Sequence, residues 1–227
     1  NWKNMLTIPE QLMLIALKDE KGTVLFTAAG ILPYSIIGGI ILELYFAKKI
    51  DYTGNNKIVV LDKTLTGIDY FDDVLKILAA SSGKKDIKNW LLKINTKIKN
   101  IKEETLKHLV SSRVLKMEEH KVLALFTKKI YPTLNPEPEI ELRKNIKNFV
   151  LQKENPDERS IALLSLAQIT NLLEDIFEQD EVKPAKQRIN ELVQRTHVGD
   201  AIPEETARLI QGITSGVADA SGTGGTI

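Results

Sequence analysis

Hydrophobic residues along this chain mainly follow the spacing of α-helices, with short apolar runs between the helical segments. In most segments they recur three and four residues apart, as on the buried face of an amphipathic helix. This spacing predicts helices over residues 11–18, 34–48, 67–80, 86–109, 139–152 and 159–177, and two more that start at Pro184 and Pro203. Thr7 and Glu10 have capping-box spacing before the first helix. The long helix 86–109 is expected to bend near Asn95 and Thr96.

One predicted helix, residues 159–177, is apolar on nearly all sides at its centre. Such a helix belongs in the middle of a bundle, because none of its faces favours water. No linker is long or polar enough to divide the chain, so we expect one domain over residues 6–220. Residues 221–227 have the composition of a flexible tail. The expected fold is mainly α, a single-domain bundle of amphipathic helices around a buried central helix.

Two stretches share the pattern of a helix followed by a β-hairpin. In the first, the helix ends at Lys49, and residues 54–56 (Gly-Asn-Asn) form the turn of the hairpin. In the second, the helix ends at Arg113, residues 118–120 (Glu-Glu-His) are the predicted tip, and residues 122–126 are the return strand. That strand has no alternating polar face, so it must be buried on both sides or buried in something else. We therefore expect two hairpins, of which the second is exposed and apolar.

Composition and charge narrow the class of function. The 31 basic and 30 acidic side chains nearly cancel, so the balance gives no case for a nucleic-acid-binding protein, and any anion site must be local. The chain has no cysteine, which excludes disulfides and thiolate metal sites and fits a reducing cytoplasm. No apolar stretch reaches the roughly 18–20 residues that span a bilayer, so any contact with a membrane is expected to be peripheral.

Candidate residues for catalysis are few. The three histidines, His108, His120 and His197, lack the spacing of metal ligands. No phosphate-binding loop, dinucleotide-binding turn or nucleophile elbow occurs in the sequence. Glu103 and Glu104 are neighbours in a predicted helix and face different sides of it, so they cannot act together as acid and base. We therefore expect no enzyme activity, no metal and no cofactor.

Several motifs, in order along the chain, resemble one known family. They are residues 6–10 (Leu-Thr-Ile-Pro-Glu), Gly38 with the later Leu42-Glu43-Leu44, Asn89-Trp90, residues 98–103 (Ile-Lys-Asn-Ile-Lys-Glu), the second hairpin, and Leu173-Glu174. Together they make nearly the whole chain similar to the Golgi phosphoprotein 3 family of peripheral membrane proteins. The resemblance implies an all-α bundle, an apolar hairpin that enters the bilayer, and binding of phosphatidylinositol 4-phosphate. Eukaryotic members also hold glycosyltransferases by their cytosolic tails, which makes the tails of membrane proteins a second expected partner.

The phosphate site of the family uses an aromatic residue and three arginines, and the match here is partial. Lys99 and Lys102 stand where two of the arginines lie, and their spacing puts both ammonium groups on one face of the predicted helix. Thr27 stands in place of the tryptophan, and Ile37 stands in place of the third arginine. Because isoleucine cannot hold a phosphate and lysine lacks the planar fork of arginine, we expect little preference for phosphatidylinositol 4-phosphate over other anionic lipids. The alternative is that both lysines belong to a solvated helix face.

The second hairpin is the predicted membrane-insertion element, with an apolar run flanked by basic side chains. Its residues are Val122, Leu123, Leu125 and Phe126, with Lys121 and Lys128 as the basic collar. Burying four such apolar side chains supplies roughly 4–8 kcal/mol, and each lysine adds about 1 kcal/mol at an anionic leaflet. Glu118 and Glu119 at the predicted tip oppose insertion into such a leaflet. The alternative is that the apolar run packs on the bundle.

Two further interpretations come from other classes of protein. A helix followed by a hairpin is also the unit of a winged-helix nucleic-acid-binding domain, but residues 40–47 are apolar with one acid and offer no basic recognition helix. A module that binds protein tails without lipid is the second alternative. The preferred prediction is a peripheral protein on the cytoplasmic face of a membrane that recognises anionic phospholipids. The absent tryptophan and arginine favour a prokaryotic-type member of the family.

Overall fold

The computed structural model describes residues 5–18, 22–53, 57–80, 85–122, 126–194 and 202–222. The helices in these ranges are α1 (Ile8–Ala16), α2 (Leu32–Phe46), α3 (Asp69–Ala79), α4 (Ile87–Lys97), α5 (Ile101–Ser111), α6 (Glu137–Leu151), α7 (Glu158–Ile169), α8 (Val182–Gln194) and α9 (Glu204–Ser221). The strands form three antiparallel pairs in the same ranges, β1 (Leu17–Lys18) with β2 (Thr23–Val24), β3 (Ile50–Thr53) with β4 (Lys57–Val60), and β5 (Glu118–Val122) with β6 (Phe126–Ile130). The mainly α fold with two hairpins is confirmed, and β1 and β2 add a short third pair.

Helix α2 lies at the centre of the bundle. All residues from 35 to 45 are buried, and α2 packs against α1, α3, α4, α5, α7 and α9. Gly38 permits a close approach to α9, because an added Cβ would lie 2.6 Å from Ile213 Cγ2. Helix α7 is also buried throughout residues 161–167, as its uniformly apolar pattern predicts. The buried centre of the bundle thus contains two neighbouring helices.

Both helix-to-hairpin units begin with the same helix-terminating turn. Lys48 after α2 has φ 57° and Arg113 after α5 has φ 59°, so both residues are left-handed. The next N–H in each unit donates back to the helix, from Lys49 to Leu44 O at 2.9 Å and from Val114 to the corresponding carbonyl of α5 at 3.0 Å. The structural equivalent of Arg113 is therefore Lys48, which corrects the predicted alignment with Lys49 by one residue.

The predicted long helix is divided into α4 and α5. Asn100, in the link between them, is left-handed with φ 62°, a conformation that asparagine adopts more readily than most residues. Ile98 and Ile101 are buried on either side of Asn100, so the chain changes direction while both side chains stay in the core. The bend predicted near Asn95 and Thr96 is therefore wrong in position, because both residues lie inside α4.

Other helix boundaries differ from the predicted ones by a few residues. Helix α1 begins before the predicted residue 11, and Glu10 accepts a hydrogen bond from Thr7 N–H at 2.8 Å, as the capping-box spacing predicts. Helix α7 ends well before the predicted residue 177, because Asn171 is left-handed with φ 59°. The final helix continues to Ser221. Residues 223–227 of the predicted tail lie outside the described residues, and the expected limits of the domain stay predictions.

Two buried acids tie α1 to the rest of the bundle. Glu43 of α2 accepts a hydrogen bond from Ile8 N–H at 2.8 Å and forms an ion pair with Arg159 of α7. Glu10 of α1 lies within 2.6 Å of His108 Nδ1 on α5. Because a buried carboxylate requires hydrogen-bond donors, these contacts fix how α1 meets α2, α5 and α7.

Candidate functional site

The second hairpin carries its apolar run at the connection between its strands. The register pairs Val122 of β5 with Phe126 of β6, so the connecting residues are 123–125 (Leu-Ala-Leu). The predicted tip, residues 118–120, is wrong, because these residues lie in β5 at the end farthest from the connection. The spacing of apolar residues along the sequence does not show where the chain reverses, whereas the register pairs Glu119 with Lys129 and Val122 with Phe126, so the chain reverses after Val122. The two acids that argued against insertion are therefore not at the tip.

The predicted insertion residues lie at the limit of what the structure describes. Leu123 and Leu125 lie outside the described residues, and Val122 and Phe126 are described by their backbone alone. Their insertion into a membrane stays a prediction. The register nevertheless determines where these residues stand along the hairpin, at or next to the connection between the strands.

The strands of this hairpin are largely exposed, although Lys129 of β6 contacts α5. Residues 119–121 and 127–129 are all exposed. Lys121 lies opposite Thr127, and Lys128 lies opposite His120, close to the connection. Neither of these two lysines forms an ion pair within the described part of the chain, in contrast to Lys129, which lies 3.2 Å from Glu103 of α5. The two lysines of the hairpin that have no ion-pair partner among the described residues, Lys121 and Lys128, are thus close to its apolar connection.

The acid at the base of the hairpin has two hydrogen-bonding neighbours, Lys116 and His120. Lys116 Nζ lies 2.7 Å from the Glu118 carboxylate, and His120 Nε2 lies 3.4 Å from it. The hydrogen bond from Lys116, aided by the one from His120, lowers the pKa of the Glu118 carboxyl. Glu118 therefore stays ionised and paired at the base of the hairpin.

Backbone hydrogen bonds close the base of the hairpin and join it to Gly22, just before β2. Lys116 N–H donates to Pro132 O at 3.0 Å, and Tyr131 N–H donates to Gly22 O at 3.3 Å. Gly22 is left-handed with φ 54°, and a Cβ there would lie 2.2 Å from the backbone of Tyr131. Only glycine fits this position, since any side chain would collide with the chain that follows β6. The exposed strands therefore extend from a fixed base.

The structure places the residues of the predicted lipid-phosphate site in different elements and at different depths. Lys99 is exposed in the link between α4 and α5, Lys102 is half-buried in the first turn of α5, and the left-handed Asn100 lies between them. The argument from spacing on one helix face is therefore wrong. Thr27 is exposed in a short 3-10 turn, whereas Ile37 is completely buried in α2, where no headgroup reaches. The phosphate-binding role of these residues stays a prediction.

Lys99 lines a cavity of about 470 Å³ between α3 and the α4–α5 link, here called the link cavity. Its other lining residues are Asp69, Tyr70, Asp73, Lys76, Ile77, Lys97, Ile98 and Glu104. Lys102, Thr27 and Ile37 are absent from this lining. The pattern of the sequence did not indicate the cavity, because one of its walls comes from α3 and the other from the link. Asn100 was the residue that could have indicated the helix break beside this cavity, since asparagine favours the left-handed turns that end helices.

Two other kinds of site are not found in the described part of the chain. No group of three or more histidine, aspartate or glutamate side chains there has an arrangement that could hold a metal ion. None of the helices in those ranges combines the length and the apolar character that crossing a bilayer requires.

Comparison with known proteins gives a family for this chain. Residues 8–213 match the family model described as Golgi phosphoprotein 3 (GPP34). The chain is also similar to vacuolar protein sorting-associated protein 74 of Schizosaccharomyces pombe, with 23% identity over 225 residues. That alignment covers 83% of this chain and 66% of the yeast protein, so the chain spans just under two thirds of its relative's length. Since the family model covers most of the chain and the motifs in residues 6–10 and 98–103 fall within or beside the match, this protein belongs to the Golgi phosphoprotein 3 family.

Proposed function

We propose that this protein attaches peripherally to anionic phospholipid membranes by inserting the connection of the second hairpin. The observation that carries the proposal is the register of β5 and β6, which puts residues 122–126 at the connection and the acids at the base. Insertion of the four large apolar side chains in this segment supplies roughly 4–8 kcal/mol. Free energy of that size supports reversible attachment without a specific headgroup.

The exposed lysines of the hairpin favour a negatively charged leaflet. Lys121 and Lys128 stand next to the connection and have no carboxylate partner among the described residues. Each contributes about 1 kcal/mol near an anionic surface. Because the cytoplasmic leaflet is the one that carries such lipids, attachment from the cytoplasmic side follows from the same charges. Lys99 and Lys102 add to the attraction if they face the same leaflet.

Family membership supports a membrane-associated role. The residues that differ from the family's phosphate site limit how strongly this protein can prefer one lipid headgroup over another. With Thr27 and Ile37 in place of an aromatic residue and an arginine, we expect little preference for phosphatidylinositol 4-phosphate at matched charge. The name of the yeast relative assigns that protein to vacuolar protein sorting. Binding of cytosolic tails of membrane proteins stays a prediction from the family resemblance.

The nucleic-acid alternative conflicts with the position of α2. In a winged-helix domain, the helix near the wing enters the major groove and presents exposed basic side chains. Helix α2 precedes the first hairpin, but its residues 35–45 are buried at the centre of the bundle. It cannot enter a groove without unfolding the core.

The direct test replaces the apolar residues at the connection with serine. We expect the triple variant Leu123→Ser, Leu125→Ser and Phe126→Ser to stop floating with anionic vesicles while its helical circular dichroism signal is retained. Side chains that face water in the free protein add little to its stability, so their replacement leaves the fold intact. If they pack on the bundle instead, each loss costs roughly 2–5 kcal/mol and the variant unfolds.

A matched control removes apolar surface elsewhere. Val59, Leu61 and Leu65 are also exposed and lie on or after β4, at the first hairpin. Changing all three to serine should leave flotation unaltered, because they are remote from the second hairpin in sequence and belong to the other unit. A folded connection variant that still floats, or a control variant that fails to float, contradicts the proposal.

A further inference from the structure

Each wall of the link cavity carries both signs of charge, because Lys76 belongs to α3 and Glu104 belongs to α5. Lys97 and Lys99 belong to the end of α4 and the link, whereas Asp69 and Asp73 belong to the first turns of α3. The two walls are far apart in sequence and meet only in the folded chain. A ligand in this cavity therefore encounters both signs of charge.

Ion pairing within the protein cancels only part of this charge. Lys76 pairs with Asp73 at 3.0 Å, and Glu104 pairs with Lys107 at 2.7 Å. Asp69, Lys97 and Lys99 have no ion-pair partner within the described part of the chain. The cavity thus retains two ammonium groups on one side and one carboxylate on the other.

We propose that the link cavity binds a phosphate group that carries a primary amine, as in phosphoethanolamine. The phosphate oxygens accept hydrogen bonds from Lys97 and Lys99, and the ligand ammonium donates to the Asp69 carboxylate. A volume of about 470 Å³ leaves room for such a small group. The inference rests on the proposed function and deepens it, because it names the headgroup class that this surface recognises.

The same lining disfavours other common headgroups. An inositol bearing an extra phosphate brings additional negative charge towards Asp69, the carboxylate of the lining that has no ion-pair partner among the described residues, and like charges repel. A choline group has no N–H to donate to a carboxylate and is recognised instead by exposed aromatic faces. Tyr70 is the aromatic residue of the lining, and only 4% of its surface is exposed. The primary amine is therefore the better match.

The test is an NMR titration of the ¹⁵N-labelled full chain. Binding is monitored by the chemical shifts of the backbone amides around the link cavity. The probes are O-phosphoethanolamine, phosphocholine and inorganic phosphate. We expect O-phosphoethanolamine to bind about three- to tenfold more tightly than the other two, as one added exposed charge contact allows. Asp69→Asn should remove this difference, and Lys99→Gln should weaken binding of all three probes.

Matched surface variants and vesicles complete the experiment. Glu141→Gln and Lys88→Gln change exposed charges outside the lining and should leave the titration unaltered. Vesicles that contain phosphatidylethanolamine and phosphatidylglycerol should float more protein than vesicles with phosphatidylcholine at equal negative charge. Asp69→Asn should abolish that preference. A preference for O-phosphoethanolamine without a vesicle preference identifies a free phospho-amine as the ligand.

Separate outcomes overturn the inference and the proposed function. Equal affinity for the three soluble probes, no amide shifts at the cavity, or an unchanged preference in Asp69→Asn overturns the phospho-amine assignment. Flotation with anionic vesicles would then still support insertion of the hairpin. Failure to float with any vesicle overturns the proposed function, and the soluble titration still decides the cavity's ligand.

Discussion

At the scale of single residues, the contact between His108 and Glu10 responds most directly to pH. His108 Nδ1 lies 2.6 Å from Glu10 Oε1, and the Glu10 side chain is almost fully buried. The ring of Tyr70 packs edge-on at a centroid distance of 6.0 Å, and Asp69 adds negative charge nearby. The hydrogen bond to Glu10 raises the pKa of His108 above its ordinary value of 6.5, although partial burial acts in the opposite direction. Protonation therefore strengthens the joint between α1 and α5.

The sign of this pKa shift predicts how stability depends on pH. Folding raises the pKa of His108, so protonation of this residue contributes fully to the free energy of unfolding below its unfolded pKa of 6.5. That contribution is lost as pH rises through the pKa of His108 in the folded state. We expect the unfolding temperature to fall as pH rises from 6.5 through the folded pKa of His108, and to fall less in His108→Gln. Glutamine keeps a donor for Glu10 but does not titrate.

Another histidine provides the control for that measurement. His120 is 57% exposed on the second hairpin, so His120→Gln should keep the pH dependence of the unmodified protein. Thermal unfolding followed by circular dichroism at several pH values compares the three proteins. The same fall in His108→Gln as in the unmodified protein would refute the role of this contact.

At the scale of elements, the break between α4 and α5 determines which charged residues meet. A continuous helix would place Lys99 and Lys102 on one face, whereas the left-handed Asn100 places Lys99 at the link cavity instead. The break therefore changes the composition of a candidate binding site. The requirement for a left-handed residue at Asn100 can be tested without any ligand.

Valine is disfavoured in the left-handed region, so Asn100→Val should lower the free energy of unfolding by about 1–2 kcal/mol. Asn95→Val makes the same chemical change inside α4, where asparagine and valine have similar helix propensities, and should alter stability by less than about 0.5 kcal/mol. Urea unfolding of both variants provides the measurement. Equal effects at the two positions would contradict the break at Asn100.

Element types were largely predictable from the sequence, whereas registers were not. The alternation of apolar and polar residues indicated the helices and both hairpins. It did not distinguish residues 118–120 from residues 123–125 as the connection, because the spacing of apolar residues does not show which residues pair across the strands. Likewise, apolar spacing continues through Ile98 and Ile101 whether or not Asn100 interrupts the helix. Both errors, in the position of the connection and in the position of the helix break, arise where the backbone conformation changes while the spacing of apolar residues stays the same.

At the scale of the whole molecule, a buried two-helix centre supports an exposed hairpin. The central position of α7 was predictable, because residues 161–167 are apolar on all sides. The link cavity was not, because residues 69–76 of α3 and residues 97–104 meet only through packing. Of the predicted phosphate-site residues, Ile37 lies in the core and Lys99 lines the cavity. The molecule thus presents two candidate contacts with a membrane, an apolar connection and a charged cavity.

The central claim is that the connection of the second hairpin enters the bilayer. Since the chain has no cysteine, a single introduced cysteine carries an environment-sensitive fluorophore at one chosen site. Leu125→Cys places the label in the connection, and Leu61→Cys places it beside the first hairpin, where Leu61 is 59% exposed.

The measurement is the emission of each label with anionic vesicles, followed by quenching with lipids that carry nitroxides on their acyl chains. We predict a blue shift and strong acyl-chain quenching for the label at position 125, and neither change at position 61. A label at position 125 that responds to vesicles no more than the label at position 61 would contradict insertion of the hairpin.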